Sequence, residues 1–280
     1  MPRQKRGLPR KVTKQESTEK ASIDVSDKGV PGELKEASKI AAERAERTEM
    51  LGREWTPRTT LGRKVLSGEI ASIESLFDNG IKITEPEIVD MLVPDLKNDL
   101  ILIGGSGGKG GGKRRTPSKR TTRMHKSGRR YRLSAMAVVG NGNGYVGLGK
   151  AHGPPGQHRD VVAKALAKAK LNLIPIRRGC GSWECACGTP HSIPFRIMGK
   201  CGSVKIILKP APKGVGLVVM DEMKKILRLA GIRDVWCKSM GQTSVRQNTA
   251  EAVFDAFNRS NKFRSRSDYE KAVGMREGKV

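Results

Sequence analysis

Apolar residues recur along this chain at two periods, and each change of period marks an element. In QHRDVVAKALAKAKLNL, Gln157 to Leu173, Val161, Val162, Ala165, Leu166 and Ala169 fall on one face of a helix, with Arg159, Lys164, Lys168 and Lys170 around the rest. VVMDEMKKILRLAG reads as a helix stopped at Gly231, and NTAEAVFDAFNRSN as another with Ala250, Val253, Phe254 and Phe257 inward. Strands are predicted where the spacing tightens. RYRLSAMAVVG and YVGLGKA flank NGNG, residues 141–144, and Asn-Gly between apolar runs is a strong hairpin signal. IPIRRG and SIPFRIM read as strands separated by a cysteine-rich loop, SVKIILKPAPKG as a strand ended by its prolines, and DVWCKSM as the last strand.

The amino-terminal part is less regular. SIESLFDNGIKITEPEIVDMLVP predicts two short helices, one ending near Asn79 and Gly80, the other starting around Pro86, where proline suits a first helical turn. ELKEASKIAAERAERTEM is rich in helix formers but has only a thin apolar stripe, so it needs a partner surface. The resulting α+β plan has a flexible basic extension and charged helix (1–50), a short helical capping segment (51–103), a Gly-rich basic insert (104–123), two α/β units in series (124–192 and 193–262) and a tail (263–280). No internal repeat occurs.

Charge narrows the partner. The 54 Lys and Arg against 28 Asp and Glu give a formal charge of +26, a self-repulsion that a polyanion would relieve. From Lys109 to Arg132 there are eleven Lys and Arg and no acid, so this stretch is expected to lie along phosphates as a dense, mobile loop. Aromatics are only 4% of residues, which disfavours serial base stacking. The apolar runs are too short to span a membrane and the start MPRQKRGLPRKVTK lacks a signal-peptide core, so no membrane partner and a cytoplasmic location are expected.

Two glycine patterns imitate nucleotide sites. Gly107, Gly112 and Lys113 meet a phosphate-loop spacing, but Arg114 replaces the metal-binding Ser or Thr and Pro117 falls in the first turns of the helix that should follow. Gly142, Gly144 and Gly147 meet a dinucleotide spacing, yet LGKAHGPPG intervenes before any helix, so no nucleotide is expected. Cys180, Cys185, Cys187 and His191 give C-x4-C-x-C-x3-H, with Cys201 available as a substitute ligand. Thiolates and an imidazole so close in sequence suit a structural zinc ion, against the alternative of reduced cysteines packed in a hairpin. Cys237 reads as a core residue, and His125, His152 and His158 as isolated groups meeting phosphate or solvent. Neither a paired-carboxylate constellation nor a nucleophile elbow occurs, so no catalytic residue is assigned.

At HKSGRRYRLSAMAVVGNGNGYVGLGKA, His125 to Ala151, the chain resembles the universal small-subunit ribosomal protein five family, with its Gly-Arg-Arg loop, strand ending in Val-Val-Gly and Asn-Gly hairpin. NLIPIRR, GTPHSIPF, ILKPAPKGVGLV, ILRLAGIRDVWCKSMGQT and NTAEAVFDAF follow in order, so the resemblance covers residues 124–262. REWTPRTTLGRKV, EPEIVDMLVP and RRGCGSWECACG are similar to its archaeal branch, whereas the insert from Gly104 to about residue 122 departs from the pattern.

The resemblance implies a double-stranded-RNA-binding-like first domain and a second domain with a left-handed βαβ crossover. It implies small-subunit rRNA and neighbouring ribosomal proteins as partners, a position beside the path along which mRNA enters, and a part in translational accuracy. By position it puts Lys126, Ser127, Gly128, Arg129, Arg130 and Tyr131 on rRNA, with Lys213 at a second contact; Lys113, Arg114 and Arg115 join them on charge alone. The expected function is that of a non-enzymatic rRNA-binding constituent of the small ribosomal subunit acting through phosphate contacts and shape, the alternative being a free double-stranded-RNA-binding factor. A zinc- or nucleotide-dependent enzyme is a third class.

Overall fold

The computed structural model describes residues 55–107, 113–185 and 187–278, so the extension and helix expected within residues 1–50 lie outside it. Three short helices come first, α1 (Thr60–Leu66), α2 (Ile73–Asp78) and α3 (Pro86–Leu92). The predicted pair is α2 and α3; α1 is additional. The Thr59 hydroxyl accepts from the Gly62 amide at 3.1 Å, while Glu85 Oε1 accepts from the Arg58 and Thr59 amides at 3.0 and 2.7 Å, so a distant carboxylate helps to start α1. Val65, Ile73, Leu76, Ile88 and Val89 of these helices pack with Val139, Tyr145, Ala169 and Leu173.

The next elements are β1 (Lys97–Leu100), β2 (Gly104–Gly107), β3 (Lys113–Thr116), β4 (Ser118–His125), β5 (Gly128–Gly140), β6 (Tyr145–Gly153), helix α4 (His158–Leu171) and β7 (Leu173–Pro175). The first sheet runs β1-β5-β6-β7, and β4 also pairs with β5. Because β5 is 13 residues long, its edge away from β6 is shared end to end: β4 takes Gly128 to Ala135 and β1 takes Ala137 to Gly140. Helix α4 buries Val161, Ala165 and Ala169 as its spacing predicts. A Cβ on Gly147 would lie 2.0 Å from the Ala169 carbonyl oxygen, and one on Gly149 2.2 Å from that of Ala165. Close helix packing therefore accounts for Gly147, and the positive φ of Gly142 (70°) and Gly144 (109°) serves the hairpin turn.

The remaining elements are β8 (Ile197–Cys201), β9 (Val204–Pro210), β10 (Leu217–Val218), α5 (Asp221–Leu229), β11 (Val235–Met240), α6 (Arg246–Lys262) and α7 (Ser267–Val273). Their sheet runs β10-β11-β9-β8, with β10 and β11 parallel across α5. The two strands expected around the cysteines are largely absent. Here β7 ends at Pro175 and β8 begins at Ile197, leaving only the bridges Arg178↔Arg276 and Gly179↔Ser192, because Arg178 pairs with the segment after α7 and Gly179 with Ser192 rather than with a sheet edge.

One apolar cluster joins both sheets, with Met136, Val138, Val146 and Leu148 from the first and Ile206, Leu208, Ile226, Val253 and Phe257 from the second sheet and its helices. A buried polar group crosses the same seam. Glu222 Oε2 accepts from the Leu102 amide at 2.9 Å, and Arg246 Nη1 donates to the Leu102 carbonyl at 2.6 Å while lying 3.6 Å from Glu222 Oε1. The segment after α6 closes over the cysteine loop: Cys180 donates its amide to the Val273 carbonyl at 2.9 Å, and Tyr269 its hydroxyl to that of Pro194 at 2.7 Å.

Candidate nucleic-acid interface

The basic run is not a mobile loop where it is described. Ser118 to His125 is strand β4, paired with β5 around a turn at Lys126 and Ser127, and Gly128 supplies the φ of +107° that the turn needs. From Lys119 to His125, and from Arg129 to Arg132 opposite, every residue is exposed, so the hairpin projects past the core as an arm. Alternation splits its side chains. Lys119, Thr121, Arg123, Arg130 and Arg132 share one face; Arg120, Thr122, Met124, Arg129 and Tyr131 share the other.

The arm's electrostatics are unfavourable in isolation. Arg123 stands directly across from Arg130, and like charges in a cross-strand pair repel. Among the described residues no carboxylate forms an ion pair with Arg114, Arg115, Lys119, Arg120, Arg123, Lys126, Arg129, Arg130 or Arg132. Internal contacts hold the arm in shape instead: Arg120 lies 3.9 Å over the Tyr131 ring and Arg130 Nη2 donates to Ser127 Oγ at 2.9 Å. Lys113, Arg114 and Arg115 belong to β3, which pairs with β2 from Gly104↔Thr116 to Gly107↔Lys113. A strand thus occupies the place where a phosphate loop would open a helix.

Lys213 is exposed and stands apart from the arm, on the wall of a cavity of about 890 Å³. Arg178, Lys224, Arg228 and Arg233 line the same cavity, whose one lining carboxylate is Asp234. Arg178 Nη2 donates to the Asn143 carbonyl at 2.7 Å and to its side-chain oxygen at 2.8 Å. Burial, then the charges of Arg276 and Arg233, lower the Arg178 pKa. An arginine keeps its proton regardless, so a buried cation faces this cavity. Sequence reasoning found Lys213 and missed the other four cations, which come from three separate stretches of chain and carry no local signal.

The cysteine cluster assembles as spaced. One ligand atom each from Cys180, Cys185, Cys187 and His191 lies within 4.8 Å of the others. Cys185 Sγ is 3.9 Å from His191 Nε2, the Cys180 thiol donates to the Cys185 carbonyl at 2.6 Å, and Cys187 Sγ is 3.0 Å from the Thr189 hydroxyl. Hydrogen bonding from the Thr189 hydroxyl and amide pulls the exposed Cys187 thiol down to about 6, whereas burial pushes Cys237 up to about 11. Cys201 is no substitute ligand, since its thiol is held 3.1 Å from Glu251 on another face. The histidines expected to be isolated are partly engaged: His152 Nδ1 is 2.7 Å from Ser134 Oγ, and His158 Nδ1 is 3.0 Å from Ser118 Oγ. Among the described residues no helix is long and apolar enough to cross a membrane.

Comparison with known proteins covers both sheets. Residues 117–177 match the family described as "Ribosomal protein S5, N-terminal domain", and residues 199–270 match "Ribosomal protein S5, C-terminal domain". Over 227 residues the chain is 48% identical to small ribosomal subunit protein uS5 of Methanocaldococcus jannaschii, which covers 81% of this chain and 97% of that protein. It is 46% identical over 247 residues to its counterpart in Methanococcus maripaludis (87% and 99% covered) and 48% identical over 210 residues to that of Ignicoccus hospitalis (75% and 92% covered). With both domain matches in order and relatives aligned over nearly their whole length, the chain belongs to the small ribosomal subunit protein uS5 family.

Proposed function

We propose that this chain is a structural constituent of the small ribosomal subunit, held on rRNA mainly by the β4–β5 arm and secondarily by the cavity carrying Lys213, with no catalytic role. The observation that carries the reading is Arg123 opposite Arg130 on an arm exposed on both faces and, among the described residues, without acid partners. Such a pair destabilises a free protein and is relieved by phosphate, whose binding releases counterions. The order β4–β5–β6–α4 supports a double-stranded-RNA-binding-like first domain, read by shape rather than base edges. In the same reading the β10–α5–β11 unit is the family's left-handed crossover, neighbouring subunit proteins and mRNA near its path of entrance are further partners, and decoding accuracy depends on the chain's seating.

Sedimentation of a cell lysate at moderate salt tests this. The chain is expected to travel with small-subunit particles and to leave them when Arg123, Arg129 and Arg130 are replaced by Ala. Recovery of the native chain away from particles, bound to duplex RNA, would favour the free RNA-binding factor instead.

A further inference from the structure

We propose that Cys180, Cys185, Cys187 and His191 hold a structural zinc ion, and that this ion fixes the turn that presents Lys213. A tetrahedral zinc about 2.3 Å from each sulfur and about 2.0 Å from an imidazole nitrogen sets its ligands roughly 3.5–3.8 Å apart. The 3.9 Å between Cys185 Sγ and His191 Nε2 is a few tenths of an ångström wider than that spacing, and no ligand atom of the four is more than 4.8 Å from another, so small side-chain movements close the site on the ion. Three thiols with one imidazole are a donor set that selects zinc over hard cations.

The second observation is the orientation of His191. Its ring is buried and its Nδ1 lies 2.8 Å from Asp234 Oδ2, so the carboxylate accepts a hydrogen bond from Nδ1–H and leaves the Nε2 lone pair facing Cys185. The other carboxylate oxygen continues the chain of contacts, since Asp234 Oδ1 accepts from the Gly214 amide at 3.1 Å and the Gly216 amide at 2.8 Å. Both glycines have positive φ (96° and 75°), so that turn is shaped by its backbone and pinned by one carboxylate. Zinc, His191, Asp234 and the turn bearing Lys213 thus form one continuous path.

The loop needs such a staple. Among the described residues from Gly181 to Pro190, Ser182 alone is buried, so no apolar core holds the loop together. Each cysteine gives up its thiol proton on ligation, releasing up to three protons to solvent, and a Zn2+ with three thiolates carries net charge −1 within a strongly basic chain.

The test uses the full chain, purified under reducing conditions, chelated, and titrated with zinc and with cobalt. One zinc per chain by elemental analysis is expected, as are the visible bands of tetrahedral thiolate-bound cobalt. Cys185→Ser and Cys187→Ser abolish both, Cys201→Ser keeps both, and Asp234→Asn weakens zinc binding ~10–100-fold at unchanged stoichiometry. Zinc is expected to slow amide exchange at Gly214 and Gly216. A wild-type chain without thiolate-to-cobalt bands, or full zinc retention by Cys185→Ser, overturns the site; unchanged exchange at the two glycines overturns its link to the turn. None of these outcomes depends on rRNA binding, so the site and the proposed function fail separately.

Discussion

From Leu133 to Gly140 strand β5 is buried on both faces, while from Arg129 to Arg132 the same strand is exposed on both. The buried half is apolar except for Ser134, lies between β6 and the edge strands, and packs under α4. The exposed half keeps only β4 as a neighbour, and its side chains repel one another. The β4 ladder, Gly128 to Ala135, links the two halves, but only the buried half is paired along its other edge as well, with β6. The side chains differ too: in one half they meet other side chains that exclude water, in the other they meet solvent and one another's positive charge. On the proposed function, stability and binding fall to different parts of a single element.

The largest test of that division sits on the core side. Glu222→Ala leaves Arg246 and the Leu102 amide without their carboxylate at a buried seam, and should cost about 3–5 kcal/mol in urea unfolding, with RNA affinity of the folded fraction unchanged. An RNA-binding defect in folded protein would break the comparison. Next is Gly128→Ala, where a Cβ meets no atom within 4 Å but the φ of +107° is wrong for an L residue, so a loss of about 1–2 kcal/mol is expected from backbone strain alone.

Arg129→Ala with Arg130→Ala should change unfolding free energy by less than about 0.5 kcal/mol, yet lower the salt slope of RNA binding by about 2. An unchanged slope would remove the arm from the interface. The smallest effect is expected at His152. Burial, then Lys150, Arg132 and Lys168, lower its pKa below 6.5. A folded pKa below the unfolded one means that protonation favours unfolding, so its contribution is full above about pH 6.5 and is lost as pH falls through the lowered value. His152→Gln should flatten that part of the pH–stability curve measured by thermal melts.

The sequence was most readable where one face of an element is buried. Helix α6 buries every residue its spacing names and helix α4 buries Val161, Ala165 and Ala169 with Val162 and Leu166 half-buried beside them, and the Asn-Gly hairpin closes where its glycines stand. It was least readable where no face is buried. Strand β4 carries Lys119, Arg120, Arg123 and a run of Thr, Met and His, all exposed, so period-2 alternation has nothing to alternate. Strand β2, built almost wholly of glycine, carries no pattern of side chains to read, and the bridge of Arg178 was hidden because its partner Arg276 lies far along the chain. The cysteine site was legible because its ligands are local. Its carboxylate, Asp234, was not, since 43 positions separate it from His191.

Arg178 and Arg276 exchange backbone hydrogen bonds, the Val273 carbonyl receives the Cys180 amide, and the Tyr145 hydroxyl donates to the Gly278 carbonyl at 3.3 Å. During synthesis these acceptors leave the exit tunnel roughly a hundred residues after their partners. A nascent chain therefore waits with its cysteine loop and first hairpin unlatched until residues 273–278 emerge, so the closing contacts of the fold are also the last to be made.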